Sequence, residues 1–186
     1  MNTILYYICW LLSKFMGNSI IIKYYRKLGM SIGESTHIFS RIKSSEPFLI
    51  SIGYNVTIST GVTLLTHDAS IGAITKREVY SDLVGPINIG NNAFLGANAI
   101  VLPGVTIPNG SIVAAGSVVT KTITPPTASQ PHTERGIVIA GNPAKFICFT
   151  DEFVNRRKDN FLKLHGSSVS ERKNIILQNK EKWVNK

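Results

Sequence analysis

The sequence predicts an all-β solenoid with helical segments at both ends. Three observations carry this reading. Aliphatic residues recur every six positions through the centre of the chain: Ile89, Leu95, Val101, Ile107, Val113 and Val119 follow one another without a miss. Glycines punctuate the run at Gly90, Gly96, Gly104, Gly110 and Gly116. The step matches neither the three-and-four spacing of an amphipathic helix nor the alternation of an ordinary half-buried strand.

Each six-residue block supplies one short strand and one corner, and three blocks complete one triangular turn. The anchors point inward and stack from turn to turn, because no single turn can bury its own core. Gly and Asn suit the corners, where the backbone takes unusual dihedrals. The same step appears earlier at Ile52, Ile58 and Leu64, and earlier still at Ile32 and Ile38. The chain therefore divides into an apolar and basic helical segment over 1–30, the solenoid over 31–148, and a basic helical segment over 149–186.

Composition narrows the function classes. The 186 residues are 44% hydrophobic and 17% charged, which excludes a disordered chain and, with no suitable period, a coiled coil or collagen. Two cysteines, Cys9 and Cys148, are too few for a disulfide framework or a four-cysteine zinc site, so a reduced, cytoplasmic protein is expected. The net charge of +9 is uneven: residues 1–45 carry six basic groups and one acid, residues 151–186 carry nine and five, and the middle carries five of each. Charge confined to two tails is not the basic stripe on a folded face that nucleic acid requires. It suits an anionic membrane surface or two solvated helices.

The first segment opens with a nine-residue apolar run, Ile4 to Leu12, that Lys14 interrupts. A spanning helix needs about 20 apolar residues, so the run is too short to cross a bilayer. It lacks the preceding positive charge and the small-residue cleavage site of a secretory signal. Two readings stand: packing on the domain or a neighbouring subunit, or an interfacial anchor at the inner face of the membrane, where Trp10 and the tyrosines suit the headgroup level. The last segment, 149–186, suits short helices that cover the solenoid's open edge.

The beat breaks between Leu64 and Ile89, a gap of 25 residues, so a loop is extruded over 66–86. It opens with His67 and Asp68 and carries Lys76, Arg77, Glu78 and Asp82. A polar loop leaving a rigid scaffold is where function tends to reside. A second extruded loop, 124–135, has three prolines and no aliphatic residue.

The segments LLTHD (64–68), GPINIGNNAFLGANAIVLPGVTIPNGSIVAAGSVVTK (85–121) and IAGNPAKFI (139–147) resemble the hexapeptide-repeat acyltransferases. The branch is that of the maltose and galactoside acetyltransferases, and within it the polysaccharide O-acetyltransferases. The resemblance implies a left-handed parallel β-helix and a homotrimer with active sites between adjacent solenoids. It also implies acetyl-CoA as co-substrate, with no metal. It makes His67 the general base that takes the proton of a substrate hydroxyl as that oxygen attacks the thioester. Glu78, before a tyrosine as in the family, would hold the acceptor or orient His67. Asp68 is the alternative partner, or a cap for the loop.

Tyr54 and Asn55 fall where the family contacts its acceptor, and Phe94 stands where it often has tryptophan. The oxyanion donor would be the backbone N–H of Ala97. Ala97, Ala115 and Gly116 offer a small-residue groove for the pantetheine arm. Thr120, Lys121, Pro143 and Lys145 complete the coenzyme contacts, the two lysines near its phosphates. Neither cysteine has a base beside it in sequence, so no covalent acyl-enzyme is expected.

The expected activity is transfer of acetyl to a sugar hydroxyl, of a capsule or O-antigen polysaccharide or its precursor. The alternatives are a small-molecule acceptor (an antibiotic, an amino acid or a nucleotide-linked amino sugar), a non-catalytic scaffold, and a zinc enzyme of the γ-carbonic anhydrase type. The last wants three histidines, and after His67 none follows until His132.

Overall fold

The computed structural model describes residues 3–16, 18–75, 82–125 and 135–182. Residues 1–150 form one compact unit and 151–186 a second.

Three sheets, parallel except for β15, build the first unit. One holds β1 (Ser31–Ile32), β3 (Ile50–Ile52), β8 (Ile87–Ile89) and β11 (Thr106–Ile107). The next holds β2 (His37–Ile38), β4 (Thr57–Ile58), β9 (Phe94–Leu95), β12 (Ile112–Val113), β14 (Ile137–Gly141) and β15 (Ala144–Phe149). The third holds β5 (Thr63–Leu64), β10 (Ile100–Val101) and β13 (Val118–Val119). From β3 to β13, the extruded loop aside, the chain visits these faces in rotation, first, second, third and first again, so each strand pairs with one a full turn away. Ile52 lies beside Ile89, Ile58 beside Leu95 and Leu64 beside Val101.

The six-residue step thus becomes columns. Ile32, Ile38, Ile52, Ile58, Leu64, Ile89, Leu95, Val101, Ile107, Val113 and Val119 are all buried, and none is more than 6% exposed. Burying each contributes ~1.5–3 kcal/mol, and the columns form one continuous core. Turns stack backbone on backbone at the corners. A Cβ placed on Gly96 would lie 2.5 Å from the Ala115 nitrogen, so only glycine fits there. Asn55, Asn92 and Asn98 hold positive φ at corners, which asparagine tolerates.

Two helices close the first turn. α1 (Thr3–Met16) packs on α2 (Ser19–Lys27), which buries Ile21, Ile22, Tyr24 and Tyr25. Asn18 reads the open edge of β2 as a further strand would: its side chain donates to the Ile38 carbonyl at 3.0 Å and accepts from the Ile38 N–H at 3.1 Å. Tyr25 is fully buried; its hydroxyl donates to the Ser40 carbonyl at 3.2 Å and accepts from the Ile42 N–H at 2.9 Å. These polar pairings satisfy an edge that would otherwise be left bare. At the other end β15 turns back antiparallel on β14 and closes the second sheet. α4 (Thr150–Arg157) and α5 (Val169–Gln178) follow, and Ser168 with Glu171 forms a capping box on α5.

The extruded loop leaves after β5. Its root is a short antiparallel ladder of β6 (His67–Asp68) on β7 (Leu83–Val84), with His67 opposite Val84. One short helix, α3 (Ser70–Ile74), follows the departing strand. The Gly85 N–H donates to the Thr66 carbonyl at 3.0 Å, so the chain rejoins the coil where it left.

Candidate active site

His67 sits at that root because β5 ends at Leu64 and the corner carries the chain outward. Its side chain is one-third exposed. Nδ1 lies 3.2 Å from Oε1 of Glu46, and Nε2 lies 3.2 Å from Oδ2 of Asp82. Glu46 is held in turn. Its second oxygen accepts from the Thr66 hydroxyl at 2.8 Å; Ser44 Oγ lies 2.7 Å from Thr66 Oγ1 and accepts from the Glu46 N–H at 3.1 Å. Proton accounting orders these groups. Thr66 spends its one hydrogen on Glu46, so Ser44 must donate to Thr66. The ring closes on the Glu46 backbone and fixes the carboxylate before any substrate arrives.

The arrangement has a chemical consequence. A neutral imidazole donating Nδ1–H to Glu46 presents Nε2 as a proton acceptor. Both carboxylate contacts are hydrogen bonds together only when the ring carries both protons. An acceptor hydroxyl reaching Nε2 must therefore take the place of Asp82, whose side chain is 44% exposed.

Glu46 was not among the expected residues. The one trace of it is that Glu46 is the only acid within 46–67; Ser44 and Glu46 precede Thr66 and His67 by 22 and 21 residues, more than the three six-residue blocks of a regular turn. Asp68, by contrast, accepts from the Ser70 N–H at 2.9 Å, and that bond holds its carboxyl below the usual carboxylate range. It caps the loop, and the partner on His67 Nδ1 is Glu46. Glu78 lies outside the described residues, as do His132 and Glu134 of the second loop.

The remaining candidates separate onto different edges. Tyr54 and Asn55 lie at the corner between the first and second faces, where Asn55 Nδ2 donates to Asn92 Oδ1 at 2.8 Å and Tyr54 is 51% exposed. Phe94 projects from the second face, also exposed. Ala97, Ala115 and Gly116 stack at the corner between the second and third faces: the Gly116 N–H donates to the Ala97 carbonyl at 2.8 Å. Pro143 follows Gly141, whose N–H reaches Ser117 Oγ beside the same column, and its bond to Asn142 is cis. Lys145 is exposed on β15.

Thr120 and Lys121 follow β13 at the corner between the third and first faces, on the same edge as His67. Two strand steps separate β5 from β13, about 10 Å at the usual spacing. Among the described residues no cluster of three or more metal-ligating side chains forms.

Parallel strands stacked turn on turn, with one loop leaving the stack, define a fold class, and comparison with known proteins agrees. A family model described as the hexapeptide repeat of succinyl-transferase matches residues 86–121. Protein CapG of Staphylococcus aureus is 38% identical over 160 residues, 84% of this chain and 87% of that protein. The galactoside O-acetyltransferase of Escherichia coli strain K12 is 34% identical over 118 residues, 62% of this chain and 52% of that one. A hexapeptide-repeat containing acetyltransferase from Vibrio cholerae O1 biovar eltor, solved in complex with acetyl coenzyme A, superposes with a TM-score of 0.53 at 26% identity, over 65% of this chain and 60% of that one. This chain thus spans most of CapG and little more than half of the other two. It belongs to the hexapeptide-repeat acetyltransferase family.

Proposed function

We propose that the protein transfers acetyl from acetyl-CoA to a sugar hydroxyl, with a surface polysaccharide or its precursor as acceptor and His67 as general base. The observation that carries this is the Glu46 contact on Nδ1, because it leaves Nε2 as the nitrogen that can accept a proton. The acceptor hydroxyl displaces Asp82 and gives its proton to Nε2 as its oxygen bonds to the thioester carbonyl carbon. The negative oxygen that forms takes a hydrogen bond from a backbone N–H. The Ala97 N–H suits this: in its turn the Ala99 N–H is taken by Gly96 and the Asn98 N–H by Thr60. The carbon–sulfur bond then breaks, and the imidazolium returns the proton to the departing thiolate. No acyl-enzyme is needed.

Topology supports assembly of more than one copy, and the family resemblance makes that assembly a homotrimer of left-handed coils. His67 and the Ala97–Ala115–Gly116 column stand on opposite edges of the third face, so one chain cannot bring both to one acetyl group. A second copy that presents its column to the His67 edge completes the site. Ile71, Ile74, Leu83, Val84 and Phe48 are exposed around the loop root and give such a contact an apolar surface. Lys121, on the His67 edge, suits a coenzyme phosphate, and the small residues at the corner suit its arm. The family's acceptors favour a carbohydrate: the similar E. coli protein is a galactoside O-acetyltransferase.

The test is acetyl-CoA turnover with a panel of sugar and oligosaccharide acceptors, wild type against His67→Ala. A loss of ~10²–10⁴-fold is expected for removal of a general base. Undiminished turnover in the variant removes His67 from the reaction.

A further inference from the structure

The acetyl-transfer reading leaves α1 unexplained. Tyr6 is buried against α2, with Cys9 and Ser13 half-buried on the same side. Among the described side chains of α1 an apolar face stands open: Ile4 is 73% exposed, Tyr7 53%, Ile8 50%, Trp10 42%, Leu11 54% and Leu12 44%. At 100° per residue these six positions sweep about 200°, just over half the helix circumference. No charged residue occurs from residue 3 to residue 13. A face of this kind on a solvated helix requires a cover.

The charge around it selects the cover. Residues 1–45 carry six basic groups, and Lys23, Lys27 and Lys43 are exposed. The one acid there, Glu34, is paired with Arg26 at 2.9 Å. A second copy placed on α1 would bring an equal excess of positive charge. An anionic lipid surface brings the opposite charge together with an apolar interior. The helix has 14 residues, about 21 Å of length, short of the ~30 Å needed to span. Trp10, at one edge of that arc, matches the headgroup level.

We propose that α1 lies in the plane of an anionic phospholipid surface, its isoleucine and leucine face in the headgroup–acyl boundary and Lys23, Lys27 and Lys43 on the headgroups. An interfacial helix ordinarily supplies its own polar side. Here α2 and the coil take that place.

The experiment uses the full chain carrying Trp183→Phe, which leaves Trp10 as the one indole. Vesicles of phosphatidylcholine with phosphatidylglycerol are compared with phosphatidylcholine alone, in the absence of any acetyl donor, so the result is independent of the acetyl-transfer reading. Expected are co-sedimentation with the anionic vesicles, a blue shift of Trp10 emission and its quenching by brominated acyl chains. Lys23→Gln with Lys27→Gln weakens binding about fivefold per lysine. Ile8→Glu with Leu11→Glu reduces it more than about tenfold. Absent binding, or binding without a change in Trp10 emission, overturns the proposal. So does emission already blue-shifted without lipid, with a mass in solution that falls in the Ile8→Glu/Leu11→Glu protein; a second copy then covers α1. The Trp10 signal needs neither glutamate substitution, so a variant that fails to fold leaves the test intact.

Discussion

Glu46→Ala tests the site most directly. The substitution removes the acceptor on His67 Nδ1, 3.2 Å away, and the acceptor of the Thr66 hydroxyl, 2.8 Å away. A hydrogen bond to a charged group contributes ~1.5–3 kcal/mol. If that energy holds the ring with Nε2 toward the acceptor, kcat falls by about 10- to 150-fold at 1.36 kcal/mol per factor of ten. KM for acetyl-CoA stays the same, because Glu46 contacts the imidazole and no expected coenzyme residue. Thr66 is 2% exposed and is left with Ser44 as its partner, so the lost bond to the carboxylate also costs about 1.5–3 kcal/mol of stability. Activity is therefore measured as thiol release well below the variant's own Tm. Glu46→Gln keeps an oxygen for Nδ1–H and should lose less. The decisive comparison is the double variant. In a His67→Ala background, Glu46→Ala should cost nothing further, since a group acting through the imidazole has nothing left to orient. Full kcat in a folded Glu46→Ala protein, or losses that multiply in the double variant, would refute the positioning role.

Two further outcomes follow from the coil and its cap. Gly96→Ala places a methyl 2.5 Å from the Ala115 backbone nitrogen, so stacked turns must part; a loss of about 1–3 kcal/mol is expected in chemical denaturation, and an unchanged midpoint would contradict the stacking. Tyr25→Phe leaves the Ser40 carbonyl and the Ile42 N–H unpaired, at about 1–3 kcal/mol for each. Burial also pushes the Tyr25 phenol above its ordinary value. A raised folded-state value means that the contribution of Tyr25 is complete below about pH 10 and declines as pH rises beyond it. The wild type should lose stability there more steeply than Tyr25→Phe, which equilibrium unfolding between neutral and strongly alkaline pH will read.

The coil was legible because its signal is local and repeated. Every anchor from Ile32 to Val119 reports the same event, the turn of a chain inward at a fixed step, and all are buried. The place of His67 at the loop root was legible for a related reason, since the repeat breaks beside it; its role came from the family resemblance. Glu46 was not, because its partner is 21 residues away and no short pattern joins a carboxylate to an imidazole one turn later. Asp68 shows the converse. Adjacent in sequence to His67, it looked like a partner, yet strand geometry sends neighbouring side chains to opposite faces, and Asp68 turns to the Ser70 N–H.

By itself, the sequence determined the parallel coil, the place where a loop leaves it, and the imidazole at that place, since a six-residue period in burial has few other solutions. Only the tertiary structure decided which carboxylate holds Nδ1 of the imidazole, that Asp82 sits on its other nitrogen, and that the histidine and the small-residue column stand on different edges. These are contacts between turns, set by how far the chain travels before it returns. Distance along a sequence does not encode that return until the core has closed.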